Sequence, residues 1–230
     1  ETGLGHTDGV MAHRVADRMF GYTEAVAASN PTCIPVSGGG TPRFVDVPFS
    51  YWAWAHIESI AQAGITDGCS ATHYCPEAIT TRGQMAVFIL RGIHGGSYYP
   101  TITPTGTVFG DVPLSHPFVA WIEQFYADGI TAGCGGGNYC PDSGVTRGQM
   151  AVFLLRGKHG SSYYPTITPT GTVFGDVPLS HPFVAWIEQL ASEGITSGCG
   201  GGNYCPSSTV DRAQMAVFLQ RTFNFNLPLP

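Results

Sequence analysis

Ser97–Gln124 reads SYYPTITPTGTVFGDVPLSHPFVAWIEQ, and the same 28 residues return unchanged as Ser162–Gln189. The offset is 65 residues, and self-similarity at a fixed period marks a tandem repeat. Working outward, Phe109-Gly110-Asp111-Val112-Pro113 has counterparts at Phe44-Val45-Asp46-Val47-Pro48 and Phe174-Gly175-Asp176-Val177-Pro178. Gly129-Ile130-Thr131 matches Gly64-Ile65-Thr66 and Gly194-Ile195-Thr196 in the same register. Arg82, Arg147 and Arg212 each stand two positions before the Gln of Gln-Met-Ala-Val-Phe. Tandem duplication accounts for this pattern.

Each copy reads as two helices around a loop. Phe118, Trp121, Ile122 and Phe125 recur at helical spacing, so a first helix is expected from about Pro117 to Asp128. Proline suits the first turn, where no N–H is needed, and Gly129 suits the left-handed position past the end. Thr146-Arg147-Gly148-Gln149 has the form of a capping box, which opens a second helix with Met150, Val152, Phe153 and Leu154 on its apolar face. Copy three places Asp211 at the cap, an equally good acceptor. Neither helix can bury its apolar face alone, so the pair and the neighbouring copies must pack together. The expected architecture is mainly α: three helix–loop–helix repeats at 43–96, 108–161 and 173–230, joined by linkers at 97–107 and 162–172.

The linkers alternate Thr and Pro, which disfavours helix and permits extended or polyproline-like backbone. They read as stiff spacers. Ser/Thr-rich segments with Pro also carry O-glycans, which makes Thr101, Thr103, Thr105, Thr166, Thr168 and Thr170 candidate acceptors.

Six of the seven cysteines form pairs at one spacing: Cys69/Cys75, Cys134/Cys140 and Cys199/Cys205. Five intervening residues do not match a zinc knuckle, so local disulfides in an oxidising compartment are expected, and no metal. Cys33 is left over, either free and buried or bonded to another chain.

The charged content is only 11%, the net charge is −6, and Lys158 is the one lysine, which excludes the clustered cations that nucleic-acid binding needs. No apolar run reaches 18 residues, so no membrane span is expected. No Ser/His/Asp or Cys/His arrangement has a local signature, so neither catalysis nor a cofactor is expected. The eight histidines are scattered: His116 and His181 stand at helix starts, and His94 and His159 follow the second helix.

The Phe-x-Asp-Val start, the Gly-Ile-Thr after the first helix, the Tyr-Cys-Pro closure and the Thr-Arg-x-Gln-x-Ala-x-Phe-Leu helix together resemble the S-layer homology domain, over about residues 43–223. That resemblance implies a secreted protein of the bacterial cell surface, self-assembling into a layer or fibre or attached to cell-wall polysaccharide, especially a pyruvylated polymer. It implies that the Arg of each copy sits in a groove between repeats and meets the acidic sugar. The candidates are Arg82, Arg147 and Arg212, with Asp46, Asp111, Asp176 and Gly68, Gly133, Gly198 near the groove. This sequence departs from the family in two respects. Gln84, Gln149 and Gln214 stand where the family has Glu, and Pro117 and Pro182 stand where copy one keeps the family's Trp, at Trp52.

Each aspartate admits a plainer role, organising the turn before Val-Pro, and calcium binding lacks the run of alternating carboxylates it needs. Trp121 and Trp186 lie on the apolar stripe, as core residues or as sugar-stacking platforms. Residues 1–42 fall outside the repeat. Val15, Met19, Tyr22 and Val26 suggest a helix within 10–28, which would pack on the repeats, on an absent parent domain or on a neighbouring subunit. Glu1-Thr2-Gly3 reads as a processed terminus or a scar of expression.

Overall fold

The computed structural model describes residues 41–228. The helical pattern within 10–28 and Cys33 therefore lie outside the described residues. Six helices occur among the described residues: α1 (Trp54–Gln62), α2 (Arg82–His94), α3 (Val119–Ala127), α4 (Arg147–His159), α5 (Val184–Ser192) and α6 (Arg212–Phe223).

The local signals act as expected. Thr81 and Thr146 each accept the N–H of the Gln three residues on, and Gln84 and Gln149 return the bond, completing capping boxes. Asp211 accepts from the Gln214 N–H at 2.7 Å. Gly64, Gly129 and Gly194 adopt φ near +70° just past the first helices. Pro117 sits just ahead of α3 rather than within it, and the His116 ring nitrogen accepts the N–H of Phe118 at 3.2 Å.

Packing departs from the expected pairing. Among the described helices, no first helix lies on the second helix of its own copy. Instead α3 packs on α2, α5 on α4 and α1 on α6, while α2, α4 and α6 form a central three-helix bundle. Copy three thus closes onto copy one by the same contact that joins the consecutive copies. Gly92 and Gly157 allow close approach at the bundle, and the ring of Phe223 from copy three fills the space beside both. The result is one continuous apolar core shared by all three copies.

The closure is also written in the backbone. Thr80 N–H donates to Val210 O, Val210 N–H to Val145 O and Val145 N–H to Thr80 O, a cyclic set of three bonds at 2.9–3.0 Å. Such pairing satisfies main-chain groups that burial would otherwise leave unpaired.

The linkers are not free spacers. Glu123 on α3 accepts the N–H of Thr105 (2.8 Å) and of Gly106 (2.7 Å), and Glu188 on α5 accepts from Thr170 and Gly171 at the same distances. Each Thr/Pro segment is thereby laid along the first helix of the copy that follows it.

Candidate functional site

Gly68, Gly133 and Gly198 have φ of +91°, +92° and +103°, and a Cβ on any of them would fall 2.3–2.4 Å from a carbonyl oxygen of its own loop. Only glycine fits there. Seven residues further on, Cys75, Cys140 and Cys205 take left-handed backbone at φ 57–60°, and each closes its disulfide. The aspartates hold this conformation. Asp111 accepts the N–H groups of Tyr139 (2.8 Å) and Cys140 (2.7 Å), and Asp46 and Asp176 do the same in their copies. Their role is to shape the loop after the first helix, not the turn beside them. Both oxygens of each carboxylate are engaged by N–H donors, and the six paired cysteines are disulfides.

The arginines belong to the neighbouring copy's loop. Arg82 Nε donates to Tyr139 O at 2.8 Å, Arg147 Nε to Tyr204 O at 2.7 Å, and Arg212 Nε to Tyr74 O at 2.8 Å. In return the tyrosine hydroxyls donate to the arginine carbonyls, all at 2.8 Å. Each guanidinium also lies 4.6–4.8 Å from that tyrosine ring and 5.3–5.6 Å from Phe153, Phe218 or Phe88. The structure therefore joins Arg82 with Asp111 and Gly133, Arg147 with Asp176 and Gly198, and Arg212 with Asp46 and Gly68. Every set spans two copies.

All three arginines are buried, at 2–4% exposure. Burial lowers the pKa of Arg82 and Arg147 against the opposing fields of the tyrosine and aspartate beside each. Burial pushes the Tyr74, Tyr139 and Tyr204 phenols well up, although the stacked guanidinium pulls the other way. Arg147 makes a further bond from Nη2 to Gly198 O at 3.0 Å, whereas Nη2 of Arg82 and of Arg212 has no hydrogen-bond partner.

Arg147 floors a groove of about 170 Å³ between copies two and three. Its sides are the Cys199–Cys205 disulfide, Ser208, Thr209 and Gln214, and its remaining wall is Trp52 of copy one. The other two arginine junctions have Pro117 or Pro182 at the position of Trp52. Gln214 brings a neutral amide where a glutamate would bring charge, and its Oε1 is buried without a hydrogen-bond partner, whereas Gln84 and Gln149 accept the N–H of their N-cap threonines. The contrast of Trp52 with the two prolines is visible in the sequence; which groove the tryptophan walls is not.

Other anticipated residues fall elsewhere. Trp121 and Trp186 are core residues, each with an arginine (Arg91, Arg156) 5.5 Å above the ring. His159 reaches Glu193 of the next copy at 2.9 Å, alongside Lys158. The Thr105 and Thr170 hydroxyls are engaged by Glu123 and Glu188, while Thr101, Thr103, Thr166 and Thr168 are exposed.

The S-layer homology domain model matches the chain three times, at residues 43–86, 108–151 and 173–216. A cell surface protein of Thermoanaerobacter kivui is 31% identical over 119 residues, covering 52% of this chain and 16% of that protein. S-layer protein EA1 of Bacillus anthracis is 27% identical over 196 residues, covering 82% of this chain and 21% of that protein. An endoglucanase of Bacillus sp. strain KSM-635 is 27% identical over 116 residues, covering 49% of this chain and 11% of that protein. The chain spans about a fifth or less of the length of these relatives.

Proposed function

This chain belongs to the S-layer homology domain family, and we propose that it attaches its protein to the cell surface by binding an acidic polysaccharide in the groove between copies two and three. Its place is the extracellular cell surface. The observation that carries the reading is the groove's chemistry: Arg147 at the floor, Trp52 as a wall and the hydroxyl residues Ser208 and Thr209 in one concave site. The positive charge of an arginine attracts an acidic polymer, and an aromatic face suits the apolar face of a sugar ring. The repeats serve as a non-catalytic module, and the endoglucanase match, confined to 11% of that protein, fits a module appended to an enzyme. If the linkers carry O-glycans, Thr101, Thr103, Thr166 and Thr168 are the acceptors.

The test is titration of the full chain with purified carboxylate-bearing wall polysaccharide. Trp52→Ala should weaken binding roughly tenfold or more at a temperature where the variant is shown to stay folded. Arg147 is unsuited to this test because its loss would damage the fold. Equal affinity of Trp52→Ala and wild type would refute the assignment. Self-assembly into a layer is a second reading, favoured by the match of S-layer protein EA1 across 82% of this chain. Monodisperse particles in negative stain at high concentration would remove it.

A further inference from the structure

The indole that walls the groove has neighbours found in no other copy. The Tyr51 hydroxyl donates to the Glu77 carboxylate at 2.6 Å, the short length of a bond to an ionised acceptor. The Tyr51 ring is partly buried and lies 6.0 Å from that of Trp52, at 37° to it. Its backbone is tied as well: the Tyr51 N–H donates to Pro48 O at 2.8 Å, and Tyr51 O accepts the Trp54 N–H at 2.9 Å. Burial and Glu77 push the phenol's pKa well up, while the Trp52 side chain, a hydrogen-bond donor, pulls the other way. The phenol thus stands between Glu77 and the indole.

Glu77 is itself anchored to the far side of the groove. It follows Cys75 by two residues, in the loop held by the Cys69–Cys75 disulfide and by Asp46. Pro76 O accepts the N–H of Ala213, and Ala78 O that of Arg212, both at 2.9 Å, so the residues on either side of Glu77 are bonded to the start of α6. That helix carries Gln214, which lines the groove with Trp52. A continuous path therefore runs from one side of the groove through α6, the loop, Glu77 and Tyr51 to the other. The remaining copies lack it. Their equivalents of Tyr51 are His116 and His181, each spent on its own turn by accepting the N–H of Phe118 or Phe183 at 3.2 Å, and their equivalents of Glu77 are Asp142 and Ser207.

We propose that Tyr51 and Glu77 are positioning residues for polysaccharide binding: together they hold Trp52 as a preformed wall of the groove. The inference rests on the polysaccharide reading and adds the residues that set its affinity. An indole free to turn would have to be ordered as the sugar arrives, and that ordering opposes binding; a wall fixed beforehand avoids it. The strut also accounts for a carboxylate near a site for acidic ligands. Glu77 is exposed, so salt screens its charge, while its bond to Tyr51 persists.

The experiment titrates the full chain, labelled with fluorotryptophan, with purified carboxylate-bearing wall polysaccharide at about 0.15 M salt. Fluorine NMR reports the indoles, and the Trp52 resonance is the one lost in Trp52→Phe. Tyr51→Phe keeps the ring and deletes the hydroxyl. It should weaken binding roughly threefold to tenfold, the cost of ordering one side chain, and should shift the Trp52 resonance while those of Trp121 and Trp186 stay in place. Glu77→Ala should do the same, and Glu77→Gln, which keeps an acceptor, should restore most of the affinity. In a Trp52→Ala background Tyr51→Phe should have no further effect. Wild-type affinity in Tyr51→Phe would overturn the proposal, as would tighter binding by Glu77→Ala, the result expected of a plain negative charge. If Trp52→Ala weakens binding and Tyr51→Phe does not, the strut alone fails; if the wild-type chain binds no polymer, the polysaccharide reading fails and takes the strut's role with it.

Discussion

Ring closure can be tested by removing one hydroxyl at a time. Tyr74, Tyr139 and Tyr204 are fully buried, and each donates to an arginine carbonyl of the neighbouring copy at 2.8 Å. Tyr139 and Tyr204 find their partners 57 residues away, whereas Tyr74 finds Arg212 at a separation of 138 residues. Tyr→Phe deletes one neutral hydrogen bond in a site that otherwise keeps its shape, which costs about 0.5–1.5 kcal/mol. For a chain of this size that lowers Tm by about 1–6 °C. Urea and thermal unfolding should be followed by far-UV circular dichroism and tryptophan emission, with disulfides intact, and the transitions must coincide before free energies are assigned. In a closed ring all three variants lose similar stability. In an open row of copies Tyr74 has no partner, and Tyr74→Phe is silent while Tyr139→Phe and Tyr204→Phe are not. That second pattern would refute the ring.

Three further outcomes follow from the same geometry. Gly83→Ala places a Cβ 2.7 Å from the Phe118 ring and should destabilise by about 1–3 kcal/mol; Phe118→Ala in the same chain should recover part of this, a coupling readable in a double-mutant cycle. Copy three shows the compensated arrangement already, with Ala213 in place of glycine and Ala53 at the position of phenylalanine. Replacing Cys134 and Cys140 together by Ala should cost roughly 2 kcal/mol in urea unfolding, the chain-entropy value for so short a loop. Acid should destabilise through two carboxyls. Burial pushes the Glu188 pKa up, but the N–H groups of Thr170 and Gly171 outweigh it and bring it below the usual value. Glu193 lies low because Lys158, His159 and Gln189 likewise outweigh its burial. Since both folded values are depressed, their stabilisation is complete above the unfolded value of about 4.3 and is lost as pH falls below it. Asp211, raised by burial, acts in the opposite sense. Glu188→Gln should therefore flatten the fall in urea midpoint on acidification below about pH 5, and an unchanged slope would contradict the linker cradle.

Much of the local structure was legible from a few adjacent residues. Thr146 and Gln149 announce a capping box that forms, Gly129 takes the left-handed turn foreseen for it, and the cysteines close at their short spacing. Of the residues tied to a glycan site, the sequence offered the types without their geometry. The resemblance puts the arginines in a groove between repeats, and the structure adds that each is buried and bonded to the next copy's loop. Glu123 and Glu188 carry no signal in the sequence, because a single glutamate on an amphipathic helix reads as a solvated residue, whereas the structure lays the linker on it.

The sequence by itself determined the repeat, its helices with their caps and ends, its disulfides and its extracellular setting. All of these depend on neighbours within a few positions or on exact recurrence. Only the tertiary structure decided that each first helix packs on the preceding copy, that copy three meets copy one, and that Trp52 walls a groove belonging to the other two copies. The physical reason is that near-identical copies carry near-identical local signals, so the 65-residue period is the same for an open row and for a closed ring. What separates them is a three-body condition: α2, α4 and α6 must cross at one axis, with Phe223 filling the space beside Gly92 and Gly157, before Arg212 can reach Tyr74.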